Sequence, residues 1–204
     1  MDSGRHSSIS IIALEQKAFS TVQEIFESRD SAELIYHNWS HTEKVHRDAL
    51  LICNAMQIDP KQTSAIGISA LFHDLGHFQC DEGHEAVGAQ MAVDFLSHNQ
   101  SHAYTEDVSE NILTTAIGSA PTTMGQQILK DADLLYIAEP HFLEIAELLR
   151  QEWAIRRGIT FNEQDWLLSN LHFLSAHEFF TPYANDKYSA QKQRNIEHIK
   201  HLLA

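Results

Sequence analysis

Three separated stretches of this chain carry side chains that hold metal ions: Tyr36-His37-Asn38-Trp39-Ser40-His41, His73-Asp74-Leu75-Gly76-His77 and Lys130-Asp131-Ala132-Asp133-Leu134. Neutral imidazole mixed with carboxylate suits borderline and hard divalent cations. A single His or Asp in a helix is usually a surface or satisfied residue, but three such stretches in one chain point to a metal centre. The chemistry that follows is hydrolytic. A cation held by imidazoles and carboxylates can lower the pKa of a bound water from about 15.7 towards 7 and offset charge building on phosphoryl oxygens. A neighbouring His, with an unperturbed pKa of about 6.5, can give a proton to the departing group.

Charge narrows the partner. The 204 residues include 14 Lys plus Arg against 28 Asp plus Glu, a formal charge of −14, which disfavours a broad surface for nucleic acid. A small substrate is expected, and a bound cation can supply the positive charge that an anionic ligand needs. Two cysteines, Cys53 and Cys80, are too few for a disulfide framework, so the cytoplasm is the expected compartment. Met1 to Ser10 lacks the apolar core of a signal peptide, and no run approaches a membrane span. Residues 1–8 are polar and expected to be loose. Nothing in the sequence reads out whether the chain forms a homo-oligomer.

The elements that must position these residues are helices. Apolar positions, 43% of the chain, recur at helical spacing with no alternating strand pattern, so the expected fold is all-α, one compact domain of about eight to nine helices. Ile11, Leu14, Ala18, Val22 and Ile25 form one stripe; Val45, Ala49, Ile52 and Met56 form the next, with Ser40 and Glu43 read as its capping box. Asp59-Pro60 opens a third helix, running past Ile66 and Ala70 with His73 and Asp74 in its last turns and a stop at Gly76. After a loop with Cys80, Asp81 and Gly83, a helix carries Ala86 to Phe95, and another starts at Val108 and breaks at Gly118 and Pro121. Asp131 and Asp133 lie on a helix with Ile128, Leu129, Ala132 and Leu135. Three further helices are expected over about 141–157, ending at Gly158, 163–178 and 184–203. In such folds each helix aims one or two ligands at a shared interior point.

On these motifs the chain resembles the HD-domain superfamily of metal-dependent phosphohydrolases, whose pattern is a His, a distant His-Asp pair and a later Asp. The resemblance spans roughly residues 35 to 135, and the His-Asp-Leu-Gly-His run is its most specific piece. It implies His41, His73, Asp74 and Asp133 as metal ligands. Asp133 is chosen over Asp131 because the family's last ligand usually sits in an Ala-Asp-x-Leu context; Asp131, about 200° round the helix, is then a solvated or outer carboxylate. Tyr-His-Asn-x-x-His is similar to a segment of the cyclic-nucleotide phosphodiesterases, which implies His37 as the acid that protonates the leaving oxygen. If the helix begins early, His37 and His41 are neighbours on it; otherwise the chain entering the helix must bring His37 over the site. The resemblance also gives His77 a role towards water, phosphate or the leaving oxygen, and makes His84 similar to a ligand of a second ion. Two-metal members usually supply another His near Ile117 to Pro121, where this chain reads Ile-Gly-Ser-Ala-Pro, so waters and a bridging Asp74 would have to complete that second site.

The implied activity is hydrolysis of a phosphoester of a nucleotide or similar small molecule, phosphodiesterase action favoured. Phosphomonoesterase or triphosphohydrolase action, a di-iron oxygenase and a non-catalytic nucleotide sensor are the alternatives. The cofactor is a divalent cation, with manganese, magnesium, iron, zinc and cobalt all compatible. A zinc site from His77, Cys80 and His84 is the weaker reading of the same loop. Trp153 and Trp166 read as core, and Trp39, inside the motif, as a residue that can line the pocket. The Phe and Tyr residues of the C-terminal third read as packing, and Lys187, Lys192 and Arg194 as a solvated face.

Overall fold

The computed structural model describes residues 10–204, so the expectation that residues 1–8 are loose lies outside the described residues. Nine α-helices are found there: α1 (Ile11–Ser28), α2 (Trp39–Ala55), α3 (Pro60–Phe72), α4 (His84–His98), α5 (Thr105–Thr114), α6 (Met124–Leu134), α7 (Phe142–Arg157), α8 (Glu163–Ala176) and α9 (Pro182–Leu203). Short 3-10 turns cover Leu75–Phe78, His102–Tyr104 and Leu135–Ala138, and the described residues contain no strand. The all-α expectation therefore holds. Among the described residues no helix is long and apolar enough to cross a membrane.

Helix α3 organises the interior. Every residue from Ser64 to Phe72 is buried, because this helix is apolar or small all round rather than along one stripe. Its Ile66 and Ala70 join one core cluster with residues of α2, α6, α7, α8 and α9. Its Ala65, Ile68, Leu71 and Phe72 join a second cluster with α1, α4 and α5. A helix between two cores delivers whatever follows it into the middle of the molecule, and His73 is fully buried.

The Asp59 side chain accepts the amides of Lys61 and Gln62, with Pro60 in the first turn, as the sequence predicts. Gly158 ends α7 in the left-handed region at φ 63°. Two expectations are corrected. Asn38, not Ser40 with Glu43, caps α2, its side chain accepting the His41 amide, because the helix already starts at Trp39 and Ser40 is exposed in its first turn. The third helix stops at Phe72, so His73 is its cap and Asp74 lies beyond it at φ −104°, ψ 0°. The role of Gly76 is steric rather than that of a helix stop: a Cβ there would lie 2.0 Å from the His84 carbonyl oxygen. Gly88 does the same for α4, where a Cβ would meet the Phe72 carbonyl oxygen at 2.6 Å and that of His73 at 2.9 Å. These two glycines let α4 lie directly against the end of α3.

Candidate metal centre

Three pieces of backbone converge at the end of α3. His41 comes from the first turn of α2, His73 and Asp74 from the exit of α3, and Asp133 from the last turn of α6. Asp74 reaches the cluster from just beyond the helix, where the chain has already left it. His41 Nε2 lies 3.2 Å from Asp74 Oδ2 and 3.3 Å from Asp133 Oδ1. His73 Nε2 lies 3.0 Å and 3.5 Å from the same two oxygens. Donors about 2.0 to 2.2 Å from a common ion stand about 3 to 3.6 Å from each other, so these spacings fit the edges of one coordination shell.

Two further observations favour a cation at this point. His41 Nε2, His73 Nε2 and Asp74 Oδ2 are buried with no hydrogen-bond partner in the protein, although buried polar atoms are nearly always paired. His73 Nδ1 approaches the Ala70 carbonyl oxygen at 2.8 Å, and since a carbonyl only accepts, the proton is on Nδ1 and the Nε2 lone pair faces the cluster. The electrostatics agree. Burial disfavours a charged His73, yet Asp74 and Asp133 outweigh it and raise its pKa well above the usual value. Burial likewise opposes charge on the two aspartates, yet the surrounding imidazoles, His73 foremost for Asp74 and His41 for Asp133, hold both carboxyls below their ordinary range. Two carboxylates packed this way demand positive charge, which protons on the imidazoles or a divalent cation can supply.

Beside the cluster stands a stack of three imidazoles. His37 lies on His77 with ring centroids 4.0 Å apart and planes at 22°, and His77 on His84 at 3.8 Å and 24°. His37 precedes α2, so the chain entering that helix carries it over the site. Asp74 has a face towards each group: its Oδ2 meets His41 and His73, while its Oδ1 lies 3.6 Å from His84 Nε2. His84 Nδ1 donates to the Asp81 carbonyl at 2.9 Å, which turns the Nε2 lone pair towards Asp74. Asp74, His77 and His84 offer donor atoms all within 4.8 Å of one another. Burial, reinforced by His37, pulls the His77 pKa down to about 4, so His77 is neutral at pH 7.

Residues 38–138 match the family model of the HD domain, from the cap of α2 to the end of the 3-10 turn after α6. The chain belongs to the HD-domain superfamily. A crystal structure of a predicted HD superfamily hydrolase from an uncultured Thermotogales bacterium superposes with a TM-score of 0.54 at 21% identity, covering 95% of this chain and 89% of that one. No curated protein matches the chain.

The HD domain thus contains the four donors, while α7 lies beyond the matched span and adds a residue that motif reading missed. Glu152, 2% exposed, accepts the backbone N–H groups of Tyr36 at 2.8 Å and His37 at 3.0 Å and also binds His37 Nδ1. It sits 115 positions from His37 with no local signature; its isolation as a carboxylate between Gln151 and Trp153 on an amphipathic helix was the only available signal. Asp131 points elsewhere, as expected, but it is buried rather than solvated: it accepts the amides of Phe180 at 2.9 Å and Thr181 at 2.7 Å, just before α9. Trp39 turns away from the site and packs on Phe19 and Phe26, because its place in the first turn of α2 faces α1. Cys80 belongs to none of the candidate metal clusters among the described residues, which removes support for a His77, Cys80 and His84 zinc site. Lys192 is half-buried and donates to the His177 carbonyl, so it is not simply part of a solvated face.

Proposed function

We propose that this HD-domain protein is a metal-dependent phosphohydrolase acting on a phosphoester of a nucleotide or similar small molecule, with phosphodiesterase action favoured, in the cytoplasm. The observation that carries the reading is a largely buried two-His, two-Asp cluster in which three donor atoms, on His41, His73 and Asp74, lack a partner, flanked by His37 on a carboxylate. The similarity to an HD structure named as a hydrolase agrees with it.

His41, His73, Asp74 and Asp133 would hold the cation, which supplies Lewis acidity towards a water and the phosphoryl oxygens. The protein's own groups do the rest. His37, with Nδ1 engaged by Glu152, has Nε2 left to give a proton to the departing oxygen. The Glu152 contact favours His37 for that step; His77, neutral at pH 7, has one ring-nitrogen lone pair free to orient a water or to complete a second ion site with Asp74 and His84. Lys130 and Arg156 are occupied, the first by the Thr114 and Ala116 carbonyls and the second by Asp81 and the His77 carbonyl. Positive charge for an anionic substrate would therefore come from metal and imidazole.

Metal-stripped protein, reloaded separately with manganese, magnesium, iron, zinc or cobalt, is to be assayed on phosphodiesters, phosphomonoesters and nucleoside triphosphates. Ion-dependent turnover of phosphoesters, with diesters preferred, is expected. Oxygen-dependent turnover with two irons per chain would point instead to an oxygenase, and tight nucleotide binding without turnover across the panel to a sensor.

A further inference from the structure

We propose that Glu152 and Arg156, one turn apart on α7, are positioning residues that set the proton placement of His37 and the orientation of the imidazoles stacked on it. The catalytic consequence rests on the reading of His37 as proton donor; the positioning itself does not.

A spacing of four puts the two side chains on one face of α7. Glu152 clamps a two-residue segment at three points, since one oxygen takes both the Tyr36 and His37 amides and the other takes His37 Nδ1. A carboxylate accepts only, so the neutral ring carries its proton on Nδ1 and keeps Nε2 as the exchanging nitrogen. Arg156 holds the next layer. Its Nε donates to Asp81 Oδ1 at 2.8 Å and its Nη2 to the His77 carbonyl at 2.7 Å, while the Asp81 carbonyl accepts from His84 Nδ1. One guanidinium thus ties the His77 backbone to Asp81, whose carbonyl in turn holds His84 at the start of α4. Helix α7 thereby reaches His37, His77 and His84 from outside the matched span of the family.

A purely structural role for these contacts predicts changes in stability alone. Positioning predicts a change in where the proton sits, and ¹⁵N spectra of histidine-labelled protein read this directly, with the His37 signal identified by its loss in His37→Asn. The wild type should show neutral His37 protonated on Nδ1. Glu152→Gln should shift that signal towards the other tautomer and lower the rate about ten- to hundredfold, a loss of the size seen when the partner of a metal-ligating histidine is removed. The loss should be larger for a phenyl than for a p-nitrophenyl phosphodiester, because the better leaving group needs less protonation. Glu152→Asp should restore part of both effects. Arg156→Met should move the His77 and His84 signals and leave that of His37 in place.

Wild-type His37 protonated on Nε2 in its neutral form would overturn the proposal without any variant having to fold. So would Glu152→Gln with an unchanged His37 signal and unchanged leaving-group dependence. Shifted signals combined with no leaving-group dependence in His37→Asn would uphold the positioning and remove only the proton-donor reading.

Discussion

Asp131 and Asp133 differ by two positions on α6, and their substitution should separate binding from stability. Asp133→Ala takes one of four donors from the cluster, so metal stoichiometry by elemental analysis should fall from one to near zero at that site, and ion-dependent activity should vanish. Asp131→Ala leaves the buried Phe180 and Thr181 amides without an acceptor, each worth about 1 to 3 kcal/mol when stranded, and should lower the melting temperature while folded protein still binds the ion. Retained metal in Asp133→Ala would contradict the assignment. A third residue, His177, bears on pH. Burial first, then the Lys192 and Lys130 charges, pull its pKa down to about 4. The unfolded chain binds the proton near its ordinary pKa of about 6.5 and the native chain refuses it, so the contribution of His177 to stability is present above that value and lost as pH falls from about 6.5 to 4. Denaturant unfolding of metal-stripped protein at pH 6.5 and 4.5 should show this loss, and His177→Gln should reduce it. That His73, Asp74 and Asp133 would come together with His41 was legible because the motifs that carry them are local patterns. Glu152 and the burial of Asp131 were not, since each is defined by a partner about 50 to 115 residues away.

At the scale of elements, the approach of α4 to the end of α3 brings His84, the outer ring of the imidazole stack, to the candidate metal cluster. Gly88→Ala would drive a methyl group into the Phe72 and His73 carbonyls, both backbone, so one helix must move. The expected result is a loss of stability of about 1 to 3 kcal/mol, as for overpacked cores, together with weaker metal binding by titration. Wild-type affinity with wild-type stability would show that the contact relaxes freely. Helix identities, the Asp59 cap and the Gly158 stop were readable because periodicity and capping are local. The start of α2 was misread by two residues: Ser40 and Glu43 satisfy the capping-box spacing, but Asn38 offers a side-chain acceptor one position before the helix actually begins. The exit at Asp74 was equally hidden, since a helix that ends at Phe72 looks the same in sequence as one that continues to Gly76.

Across the whole molecule the four donors link α2, the end of α3 and α6, elements that meet around the central helix. An ion bound only by the native state stabilises it by RT ln(1 + [L]/Kd), about 2.7 kcal/mol at a hundredfold excess over Kd. Chelation should therefore lower the melting temperature and a divalent ion should restore it in proportion to the logarithm of its concentration; a melting point indifferent to both would count against a metal in this cluster. What the sequence determined by itself was the helical class, most of the helix boundaries and which residue types were available for chemistry, because hydrophobic period, caps and motif spacing act within a few residues. Only the tertiary structure decided which oxygen of Asp74 faces which imidazole, that three histidines stack, and that α7 supplies Glu152 and Arg156. Those outcomes depend on how helices distant in the chain pack against one another, and no local propensity encodes that distance.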